Sequence, residues 1–335
     1  MNIPCLENQA CLPRSDLYII YSMSNSPYQQ WQAELLDFSV QEVGQSGVIV
    51  RLCSLEEGTA DAAMRPFARG YTFVTPSFAG VGDKALQRLV WWSKRLLKQS
   101  IHGRFHFYCL NKAFAMQSFL ESHTELDDAA KLLWLDPDMV FNQPWEPPAS
   151  MVRRGHVAGQ YWWGYEQEWC QRNGGREDEP FCPASEEAIM FPFCITVGDM
   201  RAIIDSYCRF SVEIYQRTRD WKSEMYGLVM AMSAAGLECR TITALGTCNN
   251  WPDGVPDDPG APISHYTQAM KDHDGHEAWD KRRYTPHTLS TPWQRPSQPE
   301  KVAALTDQRT LQMLHRFIDR QEEELNQPTD SQTPV

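Results

Sequence analysis

The chain has 335 residues, 42% of them hydrophobic and 22% charged, with a formal net charge of −12. That length holds one large α/β domain or two small ones, and the composition is that of a globular protein rather than a disordered or fibrous one. The acidic balance argues against a nucleic-acid binder, which needs a basic stripe for phosphates, and against anchoring on anionic lipid. A small phosphorylated ligand whose charge is met by a cation stays compatible with it. Ten cysteines are scattered, with no Cys-x-x-Cys pair; they are read as reduced thiols of a cytoplasmic protein. Residues 1–15 contain no apolar core of signal length, and no apolar run is long enough for a membrane span.

Residues 17–21 form a short β-type run that leaves into the polar segment Ser22-Met23-Ser24-Asn25-Ser26-Pro27. A polar loop after the first strand is where many nucleotide-binding folds receive the base. From Tyr28 the apolar spacing is helical (Trp31, Leu35, Phe38), with Pro27 at the start. Residues 48–52 predict a second strand carrying Arg51. An arginine inside a strand is costly unless paired, so Arg51 either binds a ligand or meets an internal carboxylate. Residues 83–99 predict a helix, 105–110 a strand and 111–122 a further helix containing Asn111 and Lys112. Strand and helix alternating in this way predict an α/β fold with a mostly parallel sheet.

The next stretch, 132–141, is the most informative in the chain. Leu132-Leu133-Trp134-Leu135 reads as a buried strand, and it turns abruptly acidic at Asp136-Pro137-Asp138 before Met139-Val140-Phe141 resumes. Ligands of open α/β sheets bind outside the carboxyl ends of strands. An Asp-x-Asp there can hold a hard divalent cation through oxygen, and the cation can clamp a diphosphate. The plainer reading is a turn in which Asp136 caps and Pro137 ends the strand.

Residues 157–165 are rich in aromatic side chains: Tyr161, Trp162, Trp163 and Tyr165 either stack on a sugar or peptide or belong to the core. Residues 171–183 read as a mobile polar loop, 188–197 as a strand and 199–219 as a helix. A second helix opens near Trp221 and places Glu224 in its first turn, where the dipole favours a carboxylate. Residues 239–243 predict a strand, 246–261 a turn-rich loop and 263–266 a short strand carrying His265. Asp280-Lys281-Arg282 belongs to a small basic knot, 285–300 are proline-rich and extended, and 305–325 form a closing amphipathic helix.

Taken in order, Ser22 to Gln32, Arg51, Asn111-Lys112, Asp136-Pro137-Asp138, Glu224-Met225-Tyr226-Gly227, His265-Tyr266, Asp280-Lys281-Arg282 and Tyr284 resemble the plant and algal hydroxyproline O-arabinosyltransferases and peptidyl serine α-galactosyltransferases. The matches are short and spread over nearly the whole chain. The resemblance implies a GT-A, Rossmann-like glycosyltransferase fold with one mixed, mostly parallel central sheet flanked by helices. It also implies a UDP-sugar donor, a manganese or magnesium ion, and retention of anomeric configuration. On it, Asp136, Asp138 and His265 hold the metal, and Glu224 is the carboxylate near the acceptor. Ser22, Ser24, Arg51, Asn111, Lys112, Asp136, Lys281 and Arg282 face the donor, and Tyr161, Trp162, Trp163 and Tyr165 the acceptor. The organisation expected is an extension over 1–15 and one glycosyltransferase domain over 16–325, followed by a disordered tail over 326–335. Within the domain, 16–142 bind the nucleotide, 143–285 the acceptor, and 286–325 form a C-terminal extension and helix.

Two departures from the family stand out: no membrane anchor is expected in this chain, and the region between Thr75 and Asn111 reads as a longer helical insert, with Ala113 replacing the proline usual after Asn-Lys. The function expected is transfer of a pentose or hexose, such as arabinose or galactose, to a hydroxyl of a peptide, protein or glycan. Two other classes use the same residues. A metal-dependent nucleotide-sugar or phosphate hydrolase would turn over donor without acceptor, and a non-catalytic sugar- or peptide-binding protein would bind without transfer.

Overall fold

The computed structural model describes residues 12–55, 70–79, 108–174, 182–248, 258, 260–282 and 295–326. In chain order, β1 (Leu17–Ser24) is followed by α1 (Pro27–Glu42), β2 (Val48–Leu55) and β3 (Tyr71–Pro76). Helix α2 (Leu110–Ser122) leads to β4 (Lys131–Leu135), the short β5 (Met139–Phe141), β6 (His156–Tyr161) and α3 (Gln167–Asn173). Then come β7 (Ile189–Thr196), the long α4 (Val197–Thr218), α5 (Ser223–Ala234) and β8 (Glu238–Ile242). The strands β9 (Gly246–Cys248), β10 (Ile263–His265), β11 (Met270–Lys271) and β12 (Glu277–Trp279) precede the last helix, α6 (Leu305–Asn326).

The described chain divides into two compact units. The first takes the segments up to Gln30, Ser46–Pro137 and Glu146–Leu245; the second takes Trp31–Gln45, Asp138–Trp145 and the chain from Gly246. In the first unit seven strands form one mixed sheet in the order β3-β2-β1-β4-β7-β6-β8. Four neighbouring pairs are parallel (β3–β2, β2–β1, β1–β4 and β6–β8), and β7 runs antiparallel to both β4 and β6. The protein is therefore α/β with a mostly parallel sheet, as its strand–helix alternation predicts. Every residue of β1 is buried, which fits a strand covered on both faces and explains its unbroken apolar run. Helix α2 packs on β1 and β2, burying Leu110, Ala113, Met116 and Phe119.

Helix α4 is fixed at both ends. The Thr196 hydroxyl accepts from the Asp199 amide at 3.1 Å, an N-cap bond, and Arg219 closes the helix in the left-handed conformation with φ 56°. The chain then turns into α5, which lies directly on α4. Gly227 makes that approach possible: a Cβ there would sit 2.7 Å from the Ser211 amide nitrogen and 2.9 Å from its Cα.

In the second unit β10 pairs antiparallel with β5 and parallel with β9, and β11 pairs with β12. Trp31, Leu35, Val140, Tyr266, Trp279 and Phe317 share its buried core. The Trp31 ring lies 6.2 Å from that of Tyr266 and 6.3 Å from that of Trp279.

Most expected elements are found within a residue or two of their bounds. Strand β3 was not foreseen. It is an edge of the sheet and only half buried, so its Thr-rich sequence carries little hydrophobic signal. Leu110 belongs to α2, and Tyr108 and Cys109 form the turn before it, so the strand expected over 105–110 does not reach its end. Strand β1 runs on through Ser24, placing Ser22 and Ser24 in the sheet rather than in a loop. The helix expected over 83–99, residues 105–107 of that strand, most of the 171–183 and 246–261 loops, Tyr284 and the terminal segments lie outside the described residues. Among the described residues, no helix is long and apolar enough to cross a membrane.

Because α4 and α5 touch through Gly227, a methyl group there must push them apart. Gly227→Ala is expected to cost about 2 kcal/mol, the usual scale of overpacking. Urea unfolding of the two proteins measures it.

Candidate functional site

The boundary between the two units falls between Pro137 and Asp138, so each aspartate is held by its own surroundings. Asp136 follows β4, which pairs with β1 in a register that sets Trp134 beside Ile20 and Leu135 beside Tyr21. The strand thus delivers Asp136 at the carboxyl edge of the parallel half of the sheet, the usual place for a ligand. Its carboxylate meets Lys112 Nζ at 2.6 Å. Lys112 lies in the first turn of α2, and its neighbour Asn111 accepts through Oδ1 from the Phe78 amide at 2.6 Å, tying that turn to the chain after β3.

Lys112 also reaches Glu224 Oε2 at 3.6 Å and lies over the Phe191 ring, 4.3 Å from its centroid. Glu224, in the first turn of α5, is 1% exposed, and Tyr207 of α4 donates its hydroxyl to Glu224 Oε1. Burial raises the Glu224 carboxyl above the ordinary carboxylate range, with Asp136 adding to it, against the lowering by Lys112 and Tyr207. Burial alone would lower the Lys112 ammonium, but Asp136 and Glu224 together raise it above the usual lysine value, so it stays charged. The Tyr207 hydroxyl is raised well above its usual value, first by burial and then by Glu224, so it acts as a donor.

Asp138 is placed by backbone pairing in the second unit. Its carbonyl accepts from the Tyr266 amide at 3.1 Å, next to the His265–Met139 pair of the β10–β5 ladder. That bond brings His265 Nε2 to 3.1 Å from Asp138 Oδ1. Asp138 Oδ2 accepts from Lys281 Nζ. Burial would raise the Asp138 carboxyl, but Lys281 and His265 outweigh it and hold the group well below its ordinary value.

Asp136, Asp138 and His265 offer two carboxylates and an imidazole that could hold a metal ion, and such an oxygen-and-nitrogen donor set suits a hard or borderline divalent cation. Asp272, Asp274 and His276 offer the same donor types on the β11–β12 turn. There Asp272 Oδ1 already accepts from the Asp274 and His276 amides at 3.0 and 2.8 Å, the pattern of a turn holding itself together.

The remaining expected residues fall into place as follows. Ser22 and Ser24 are buried in β1, and the Ser24 hydroxyl donates to Ser26 Oγ at 2.8 Å. Arg51 is buried in β2 and donates to the Tyr21 hydroxyl at 2.8 Å, an internal contact of the kind its strand position demands. Arg282 donates from Nε and Nη2 to Asp280 at 2.9 and 2.8 Å, and Lys281 is buried against Asp138. Within the described part of the basic knot, Lys281 and Arg282 thus each pair with an aspartate of the protein's own. Trp162 is core, 4.8 Å from the Tyr226 ring, and Tyr165 and Trp169 pack on the same ring at 5.6 and 4.2 Å. Tyr161 and Trp163 are half-buried and meet edge to face at 4.7 Å. Tyr207 and Phe191 escaped the sequence reading. Both lie in apolar segments, and nothing in sequence marks a tyrosine of a helix's inner face as the donor to a glutamate 17 residues on.

The depressed Asp138 carboxyl makes a stability prediction. A carboxylate whose folded value lies below its unfolded value of about 3.9 stabilises the fold above that pH. The contribution fades as pH falls below it. Lys281→Met removes the main partner and is expected to cost roughly 3 kcal/mol at pH 7. The gap to the unsubstituted protein should narrow between about pH 4 and pH 2; urea unfolding across that range checks both the size and the sign.

Comparison of the chain with protein-family models and with curated proteins finds no match.

Proposed function

We propose that the protein is a metal-dependent glycosyltransferase of the GT-A type, moving a sugar from a UDP-sugar to a hydroxyl acceptor, a peptide serine or hydroxyproline being the acceptor class its sequence resemblance suggests. The observation that carries the reading is the Asp136-Pro137-Asp138 turn at the carboxyl end of β4, with His265 beside Asp138 and Lys112 beside Asp136. Asp136, Asp138 and His265 would hold manganese or magnesium, which when bound neutralises charge developing on the departing diphosphate. Each aspartate is meanwhile matched by an ammonium group, Lys112 for Asp136 and Lys281 for Asp138. Lys281 and His265 hold Asp138 in its ionised form, the state a metal ligand needs.

The bond that breaks joins the sugar's anomeric carbon to the diphosphate oxygen; the bond that forms joins the same carbon to the acceptor oxygen. The half-buried Tyr161 and Trp163, on the chain leaving β6, offer aromatic surface to the acceptor. Trp162 and Tyr165 support that segment from beneath through Tyr226.

The test is a thermal-shift series with UDP, UDP-galactose and UDP-arabinose, each with and without manganese. Ligand at a hundredfold excess over Kd adds about 2.7 kcal/mol to stability. A nucleotide shift that requires manganese and vanishes in Asp138→Asn supports the reading. No shift from any nucleotide under either condition overturns it. Release of free sugar at the same rate with and without hydroxyl acceptors would favour the hydrolase instead.

A further inference from the structure

We infer that Lys112 is the cation that receives the departing diphosphate, and that Glu224 and Tyr207 are positioning residues acting through it rather than on the acceptor. The inference rests on the donor-site reading of Asp136 and assigns the chemistry beside it.

Glu224 is the carboxylate that the sequence resemblance sets near the acceptor, and its surroundings make it a poor base there. A general base must come within about 2.6–3.2 Å of the proton it takes. Glu224 is 1% exposed, with Oε1 bonded by the Tyr207 hydroxyl and Oε2 turned to Lys112. Tyr207 is fully buried as well. The members of the cluster that reach solvent are Lys112 and Asp136, whose side chains are 19% and 15% exposed. A buried carboxylate is expensive unless its charge is used, and the charge available to Glu224 is the Lys112 ammonium.

The geometry gives that arrangement a purpose. An ammonium group has three donors. Asp136 takes one at 2.6 Å and Glu224 faces another at 3.6 Å, while the Phe191 ring, 4.3 Å away, closes a further side. A metal held by Asp136 would draw that carboxylate from Lys112. Glu224, fixed by Tyr207, would then keep the ammonium in place and leave one of its donors for a phosphate oxygen. Lysine suits this as a compact point charge. When the bond from the anomeric carbon to the diphosphate breaks, its electron pair stays with the phosphate oxygen. Lys112 keeps its proton and hydrogen-bonds that oxygen. The acceptor oxygen bonds to the anomeric carbon, and its proton passes to the departing phosphate, a route that needs no protein base.

Calorimetric titration of manganese alone, and of UDP in saturating manganese, separates the possibilities across the unsubstituted protein, Glu224→Gln, Tyr207→Phe, Lys112→Met and Lys112→Arg. Expected are manganese affinities within about twofold of the unsubstituted protein in Glu224→Gln and Tyr207→Phe, while Lys112→Met, which frees Asp136 of its ammonium, binds manganese at least as well. UDP affinity should fall roughly tenfold in Glu224→Gln and Lys112→Met and by a smaller factor in Tyr207→Phe, with partial recovery in Lys112→Arg. A purely structural role would lower the unfolding midpoint and weaken metal and nucleotide together, so the split between the two affinities is the decisive readout. Tyr207→Phe removes a single oxygen and answers the question should Glu224→Gln fail to fold. Unchanged UDP affinity in Glu224→Gln and Tyr207→Phe, with transfer abolished in Glu224→Gln, overturns the inference and returns Glu224 to the acceptor while leaving the donor site standing. No UDP binding by the unsubstituted protein overturns the donor site itself.

Discussion

Each aspartate of the Asp-x-Asp turn is held by a lysine from a distant part of the sequence, and the rest of the site depends on those two ion pairs. Lys112 comes from the first turn of α2 and Lys281 from the chain after β12. A bare pair of carboxylates two residues apart would repel, and one of them would take up a proton as burial increased. Here an ammonium group stands against each, and Asp138, with Lys281 and His265 beside it, stays ionised in a largely buried setting. The cost of removing those charges from water is met by partners of opposite sign at hydrogen-bonding distance.

The backbone supplies what the ion pairs require. Asp136 is delivered by β4, whose position beside β1 is fixed by a parallel register, and Asp138 by a short ladder in which β5 and β10 run antiparallel. Pro137 joins the two, restricting the residue before it to extended conformations. On the other side of Lys112, the contact of α4 with α5 through Gly227 and Ser211 brings Tyr207 to Glu224. A helix crossing relaxed by even a methyl group would loosen that hydrogen bond, and Glu224 would lose the contact that fixes its direction.

Much of this architecture is legible in the sequence because its signals are periodic. Residues 132–135, 188–197 and 199–219 announce themselves by apolar runs or helical spacing, and the acidic turn is conspicuous because it interrupts a buried strand. What escaped reading was pairwise. Lys281 looks like part of an exposed basic patch until β10 and the chain after β12 set it against Asp138. Tyr207 looks like a core residue, and it is one, but its hydroxyl is spent on Glu224. Strand β3 was missed for another reason: a sheet edge exposes part of each residue, and half-exposed Thr and Tyr leave no clear pattern. Arg51 could be read two ways, and the Tyr21 hydroxyl beside it is an internal partner that its sequence position alone does not name.

Charge accounting links these contacts to the proposed chemistry. Around Asp136, one ammonium, that of Lys112, faces the carboxyl groups of Asp136 and Glu224; Asp138 faces Lys281 and His265. A divalent cation bound at the aspartates would take from the two lysines part of their compensation. An anion carrying two charges would give the released donors something to bind. A metal-bound diphosphate meets that description, whereas a neutral sugar or an unmodified peptide does not. The protein's overall charge of −12 works in the same direction, since an acidic molecule that binds a polyphosphate must concentrate positive charge at one place. The partly exposed Lys112, the buried Lys281 and a metal at a single turn would do so, and the remaining acidic surface would be left free of that task.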